Sequence, residues 1–141
     1  MNEDTLRPLS RKWRSTANVM TVLPLPEAGA AMIRPGGGFF IAAGSRYETD
    51  EQGGAFHFIE HLLFKGTPTR PTPRQISEVV EGVGGSLNAF TDREVTGYWC
   101  RLAQPHYREG IDLLSDMALN SLFRDEDIDK EKQVVYEEIR A

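Results

Sequence analysis

The stretch His57-Phe58-Ile59-Glu60-His61 decides how the rest of this chain is read. At 100° per residue, placing His57 at 0° puts His61 at about 40° and Glu60 at about −60°, so two imidazoles and a carboxylate share one arc of a helix. Phe58, Ile59, Leu62 and Leu63 fall at about 100° to 240°, on the far side. A helix that turns this apolar half into a core aims all three polar groups at a common point.

Working outward, Val19 to Leu25 (VMTVLPL) predicts a short strand ended by Pro24 and Pro26, and Phe39 to Ala43 predicts a second after the run Gly36-Gly37-Gly38. Gly44 to Glu48 (GSRYE) leaves the sheet, and Gly53-Gly54 allows an abrupt turn into the motif helix. Downstream, Thr72 is a predicted N-cap, Pro73 the first helical residue and Gln75 the capping-box partner. Ile76, Val79, Val80 and Val83 follow at helical spacing, and Gly84-Gly85 stops the run. Ser86 to Thr91 (SLNAFT) and Val95 to Leu102 (VTGYWCRL) predict antiparallel strands around the turn Asp92-Arg93-Glu94. Pro105 opens a helix whose buried stripe is Ile111, Leu114, Met117 and Ala118, and a last helix runs from an N-cap at Asp125 to the end. The expected fold is α+β, with helices packed on one face of a mainly antiparallel sheet. Residues 1–18 form a polar lead-in and 19–141 one domain.

The phase of the last helix separates its many acids. With Ile128 at 0°, Val135 lies at about −20° and Ile139 at about 20°, while Glu131 and Glu138 lie at about −60° and −80°, on the margin of the apolar arc. Glu137 falls near 180°, and Glu126 and Glu137 are ordinary solvated positions. Carboxylates on an inward margin need partners, because a buried unpaired charge is strongly disfavoured.

Composition narrows the possible functions. With 141 residues, 40% apolar and 26% charged, the chain can bury one core without disulfides. Its net charge of −5 argues against nucleic acid or an anionic membrane as partner, although Arg7, Arg11, Lys12 and Arg14 form a local basic cluster. Cys100 is the single cysteine, which excludes a Cys-x-x-Cys site and permits a reducing compartment. The polar start Met1-Asn2-Glu3-Asp4 matches neither a secretory nor a transit segment, and no long apolar run follows, so a cytoplasmic location is the expectation.

A catalytic zinc site takes three protein ligands and keeps one position for water. His57 and His61 supply two, and Glu138 is placed to supply the third. Glu60 suits the general base that takes a proton from water activated by the metal. Glu131 suits the acceptor that a ligating imidazole needs on its other nitrogen. A structural ion pair is the alternative for Glu138 and for Glu131. Cys100, in an apolar strand, is a packed small residue, and Phe58 and Trp99 are expected in the core.

These residues follow the inverted zinc motif H-x-x-E-H. The chain resembles the inverzincin peptidases of the pitrilysin and mitochondrial-processing-peptidase type, peptidase family M16, particularly their shorter bacterial members. The shared stretches are GSRYE (Gly44 to Glu48), HFIEH (His57 to His61), LFKGT (Leu63 to Thr67), GGSLNAFT (Gly84 to Thr91) and EKQVVYEEI (Glu131 to Ile139). From His61 to Glu138 there are 76 intervening residues, the spacing this family has. The resemblance implies a zinc metalloendopeptidase with one Zn2+ per chain on His57, His61 and Glu138, with Glu60 as base and Glu131 orienting a ligand. It also implies that Ser86 to Thr91 is an edge to which a peptide or unfolded-protein substrate adds as a strand, touching Asn88 and Ala89.

Family members continue into a second, similar domain that closes over the peptide and contributes an arginine and a tyrosine to transition-state stabilisation. The chain is therefore expected to be an N-terminal portion of the peptidase domain, weakly active alone, with a C-terminal domain or second subunit as partner. Surface meant for those parts is expected to favour homo-oligomers. Two rivals share the motif or the fold. S-ribosylhomocysteine lyases use H-x-x-E-H with a cysteine as third ligand, and catalytically dead family members serve as assembly subunits.

Overall fold

The computed structural model describes residues 21–25 and 36–140. The lead-in 1–18 lies outside the described residues. In chain order the elements are β1 (Thr21–Leu25), β2 (Gly36–Ile41), α1 (Ala55–Leu62), α2 (Pro73–Glu81), β3 (Ser86–Thr91), β4 (Thr96–Arg101), α3 (Tyr107–Asn120) and α4 (Asp125–Arg140), with short 3-10 turns between some of them. The strands form one antiparallel sheet in the order β1-β2-β4-β3, so β3 is an edge among the described residues. The α+β arrangement expected from the sequence is the one observed.

The second strand begins earlier than the glycine run suggests. Gly36, Gly37 and Gly38 lie inside β2 and pair with Arg101, Cys100 and Trp99 of β4. A Cβ at Gly38 would stand 2.8 Å from the Tyr98 carbonyl oxygen, so glycine here permits a close approach of two strands rather than a turn. Pro24 likewise lies within β1 opposite Gly37, and among the described residues β1 is an edge strand, where a missing donor interrupts least.

Capping chemistry places α2 as its sequence indicates. The Thr72 side chain accepts from Gln75 N–H while the Gln75 side chain accepts from Thr72 N–H. At the other end Gly84 adopts φ 76°, and Gly85 N–H and Gly84 N–H donate to the carbonyls of Val80 and Glu81. That left-handed residue with its two reversed bonds is a Schellman ending. Val83 lies in this turn and is exposed, so only Ile76 and Val80 of the predicted stripe are fully buried, with Val79 packed at the margin.

One core joins Phe39, Tyr98 and Cys100 of the sheet to Ile76, Val80, Leu113, Leu114 and Met117 of the helices. Leu87 and Ala89 of β3 pack against the same side. Leu113 is wholly buried though absent from the expected stripe, because α3 packs on both the sheet and α2. Fully burying a side chain such as Leu113 or Met117 contributes roughly 1.5–3 kcal/mol, so α3 is the main clamp on this face. Phe58 and Trp99 are only half-buried; Trp99 lies across the strand from Cys100 and stacks under the Arg101 guanidinium at 4.9 Å.

Between α1 and α2 the chain is fastened to α3. Thr67 Oγ1, Thr69 Oγ1 and Arg70 Nη1 donate to Asp116 Oδ2 at 2.6, 2.5 and 2.7 Å, and Asn120 Nδ2 donates to Oδ1 at 2.9 Å. Burial works to raise the Asp116 pKa, but these donors outweigh it and hold the carboxyl down to about 2.

Candidate metal centre

The motif helix α1 has eight residues and borrows its N-terminal cap. Gly54 enters it at φ 87°, a conformation that suits glycine, and offers no side chain. Glu48 supplies the cap from outside: its two carboxylate oxygens accept from Gly54 N–H and Phe56 N–H, each at 2.8 Å. This satisfies orphan donors and sets a negative charge against the positive end of the helix. Downstream, Leu62 and Leu63 are buried. Ile59 is not: it is 40% exposed, because α1 lies over β3 at the sheet edge and against α4, too near the rim to cover its whole apolar arc.

His57 and His61 occupy one side of α1 as their spacing requires. Their Nε2 atoms are 3.0 Å apart and their rings meet edge-on. Glu138, arriving on α4, places Oε2 3.8 Å from His57 Nε2 and 3.7 Å from His61 Nε2. A tetrahedral zinc with ligand bonds of about 2.0–2.1 Å separates its ligands by about 3.3 Å, so a triangle with edges of 3.0, 3.7 and 3.8 Å fits such an ion. Two imidazole nitrogens with one carboxylate oxygen also match the donor chemistry of a three-ligand zinc site. Among the described residues this is the only cluster able to hold a metal, and buried Cys100 is not part of it. A lyase-type site with a cysteine ligand therefore has no counterpart here.

Glu131 sits two helical turns before Glu138 and is buried. Its Oε1 is 2.8 Å from His61 Nδ1 and its Oε2 pairs with Lys65 Nζ. Burial favours a raised Glu131 pKa, yet the bonds and charges of Lys65 and His61 prevail and hold it below the ordinary glutamate value. An ionised carboxylate only accepts, so it holds the proton on Nδ1 of His61 and leaves the Nε2 lone pair facing Glu138 and His57. Both margin carboxylates of α4 have the partners their phase demanded, but differently. Glu131 is enclosed, whereas the Glu138 side chain is 48% exposed and that of His57 40%, so the cluster opens toward solvent.

Glu60 is half-buried on the same arc, and its Oε2 accepts from Thr91 Oγ1 at 2.5 Å. Among the described residues its Oε1 has no hydrogen-bond partner. The charge of Glu60 also adds to burial in raising the pKa of the Tyr98 hydroxyl. Asn88 is exposed on β3, and its Oδ1 accepts from Ala89 N–H at 2.8 Å; Ala89 turns its methyl toward the core. Three contributors went unrecognised in the sequence: Glu48, Lys65 and Thr91. Each lies in a stretch shared with the resembled peptidases, but no local pattern reveals which distant atom it meets.

The chain is similar to known proteins over most of its length. The chain is 45% identical to the zinc protease YmxG of Bacillus subtilis over 103 residues, covering 73% of this chain and 25% of that protein. It is 43% identical over 101 residues to the mitochondrial-processing peptidase subunit beta of Dictyostelium discoideum, covering 72% of this chain and 22% of that one. A solved protease from Helicobacter pylori superposes with a TM-score of 0.70 at 27% identity, over 73% of this chain and 24% of its own. The chain thus spans about a quarter of the length of these relatives. The model of the insulinase family matches residues 36–141, and the chain belongs to that family, peptidase family M16.

Proposed function

We propose that this chain carries the metal-binding half of a zinc metalloendopeptidase. The observation that supports this most is the convergence of His57 Nε2, His61 Nε2 and a Glu138 oxygen within 4.8 Å of one another. His57, His61 and Glu138 would hold the ion. Zinc bound there would supply a Lewis acid for the scissile carbonyl and a water acidic enough to ionise near neutral pH. Glu60, with Oε2 occupied by Thr91, would accept the proton of the attacking water on Oε1 and return it to the leaving amine. Glu131 keeps His61 in the ligating tautomer, and Lys65 keeps Glu131 ionised.

The substrate class is an extended peptide or unfolded protein that adds to β3 along Asn88 and Ala89, where backbone bonds give affinity with little demand on sequence. The Ala89 N–H now bonded to Asn88 Oδ1 becomes available to the peptide when that side chain turns aside. A C-terminal domain or second subunit completes the transition-state contacts; two relatives carry names that make them subunits, of the mitochondrial processing peptidase and of the cytochrome b-c1 complex. We expect one zinc per chain by metal analysis, lost in His61→Ala, and peptide cleavage that falls about a hundredfold or more in Glu60→Gln with zinc retained. Equal cleavage by the wild type and Glu60→Gln would remove the general-base role, and absence of zinc affinity would remove the site.

A further inference from the structure

We propose that Thr91 is a positioning residue for Glu60 and ties the general base to the peptide-binding edge of the sheet, an inference that rests on the peptidase function proposed above. Glu60 is the one reacting side chain in that scheme with no bond to the metal, so something else must fix its rotamer. The Thr91 hydroxyl has one proton, and it lies on Glu60 Oε2 at 2.5 Å. Its neighbour Thr96 does not compete, since the Thr96 hydroxyl donates to the Ala43 carbonyl at 2.8 Å and stands 3.4 Å from Thr91 Oγ1.

Thr91 is itself held. It pairs directly with Thr96 in the β3–β4 ladder, and a β-branched side chain in a strand has few χ1 choices. The ladder also fixes which way its backbone faces. Asp92 N–H donates to Val95 O at 2.8 Å, closing the hairpin, so in the antiparallel alternation Phe90 pairs with Gly97 and Asn88 with Trp99 through hydrogen bonds. Leu87, Ala89 and Thr91 then turn their N–H and C=O groups to the open side. Thr91 alone therefore offers its backbone to an added strand and its hydroxyl to the base. A peptide seated on this edge is registered against the carboxylate that must act on it.

The test uses Thr91→Val, which keeps the branched shape, and Thr91→Ser, which keeps the hydroxyl, in the intact protein with Glu60→Gln as reference. Thr91→Val is expected to lower kcat roughly tenfold or more with KM within about twofold, while Thr91→Ser stays within about threefold of wild type. Zinc content and melting temperature should match wild type in both. In the metal-free protein, the carbon-13 resonance of the Glu60 carboxyl should shift in Thr91→Val and hold in Thr91→Ser. An unshifted resonance in Thr91→Val, a rise in KM in place of the fall in kcat, or a loss of zinc would each overturn the positioning role. A fully active Glu60→Gln would instead strike at the general-base role proposed above, and the resonance would still decide whether Thr91 holds Glu60.

Discussion

Two polar clusters lie on either side of the turn that follows α1, and they are built to opposite ends. Around Asp116, donors and acceptors balance: Thr67, Thr69, Arg70 and Asn120 all donate to one carboxylate whose side chain is 9% exposed. Around Glu138 there is no such set of donors: the Nε2 atoms of His57 and His61 and a glutamate oxygen converge where the chain opens to solvent. A balanced cluster stabilises the fold and needs nothing further. A cluster of ligand atoms aimed at one point suits the zinc ion proposed above. Burial separates them as well, with the Asp116 side chain 9% exposed and that of Glu138 48%.

That contrast can be broken by substitution. Glu138→Ala should lower zinc affinity by about a thousandfold or more while leaving the metal-free melting curve near that of wild type, because it removes a proposed ligand whose side chain is 48% exposed. Competition with a chromophoric chelator reads the first and calorimetry the second; metal-free unfolding that shifts as much as affinity does would erase the distinction.

Asp116→Ala should do the reverse. It leaves the buried Thr67 hydroxyl without its acceptor and takes one of two carboxylate partners from Arg70, at a cost of about 3 kcal/mol by urea denaturation, with zinc affinity within a few-fold of wild type. A stable Asp116→Ala protein would show that the cluster is not a fastening.

Glu131→Gln belongs between the two. It keeps the shape of the contact and removes the charge that orients His61, so zinc affinity is expected to drop about 10- to 100-fold with a modest loss of stability. Unchanged affinity would mean that the tautomer of His61 is set by something else.

The smallest effect is a pH dependence. Asp116 is held at about 2 against an ordinary 3.8, so its ionised form favours the folded state. That contribution is complete above the unfolded value and disappears as pH falls from about 4 toward 2, on the order of 1–2 kcal/mol. Stability measured from pH 5 down to pH 2 should fall less steeply in Asp116→Asn, and parallel curves would assign the acid loss to other carboxylates.

Features that depend on neighbours along the chain were legible in advance. The α2 capping box, its glycine ending and the β3–β4 hairpin were read at their observed places, because turn and cap chemistry acts over three to five residues. Helical phase separated Glu131 and Glu138 from Glu126 and Glu137. Where position depends on distant packing, the outcome differed. The glycine run joined β2 because β4 comes too close to Gly38 for a side chain, and Ile59 stayed exposed because α1 sits at the rim.

By itself, then, the sequence determined the arc that His57, Glu60 and His61 share, since 3.6 residues per turn leaves them no other relation within a helix. It also determined which face of α4 its acids occupy. Only the tertiary structure decided which atoms meet: Glu138 closing on both imidazoles, Glu131 on His61, Lys65 on Glu131, Thr91 on Glu60, and Glu48 on the start of α1. Those contacts join residues far apart in the chain, and no local periodicity constrains them. They are set by how the four described helices settle on one sheet.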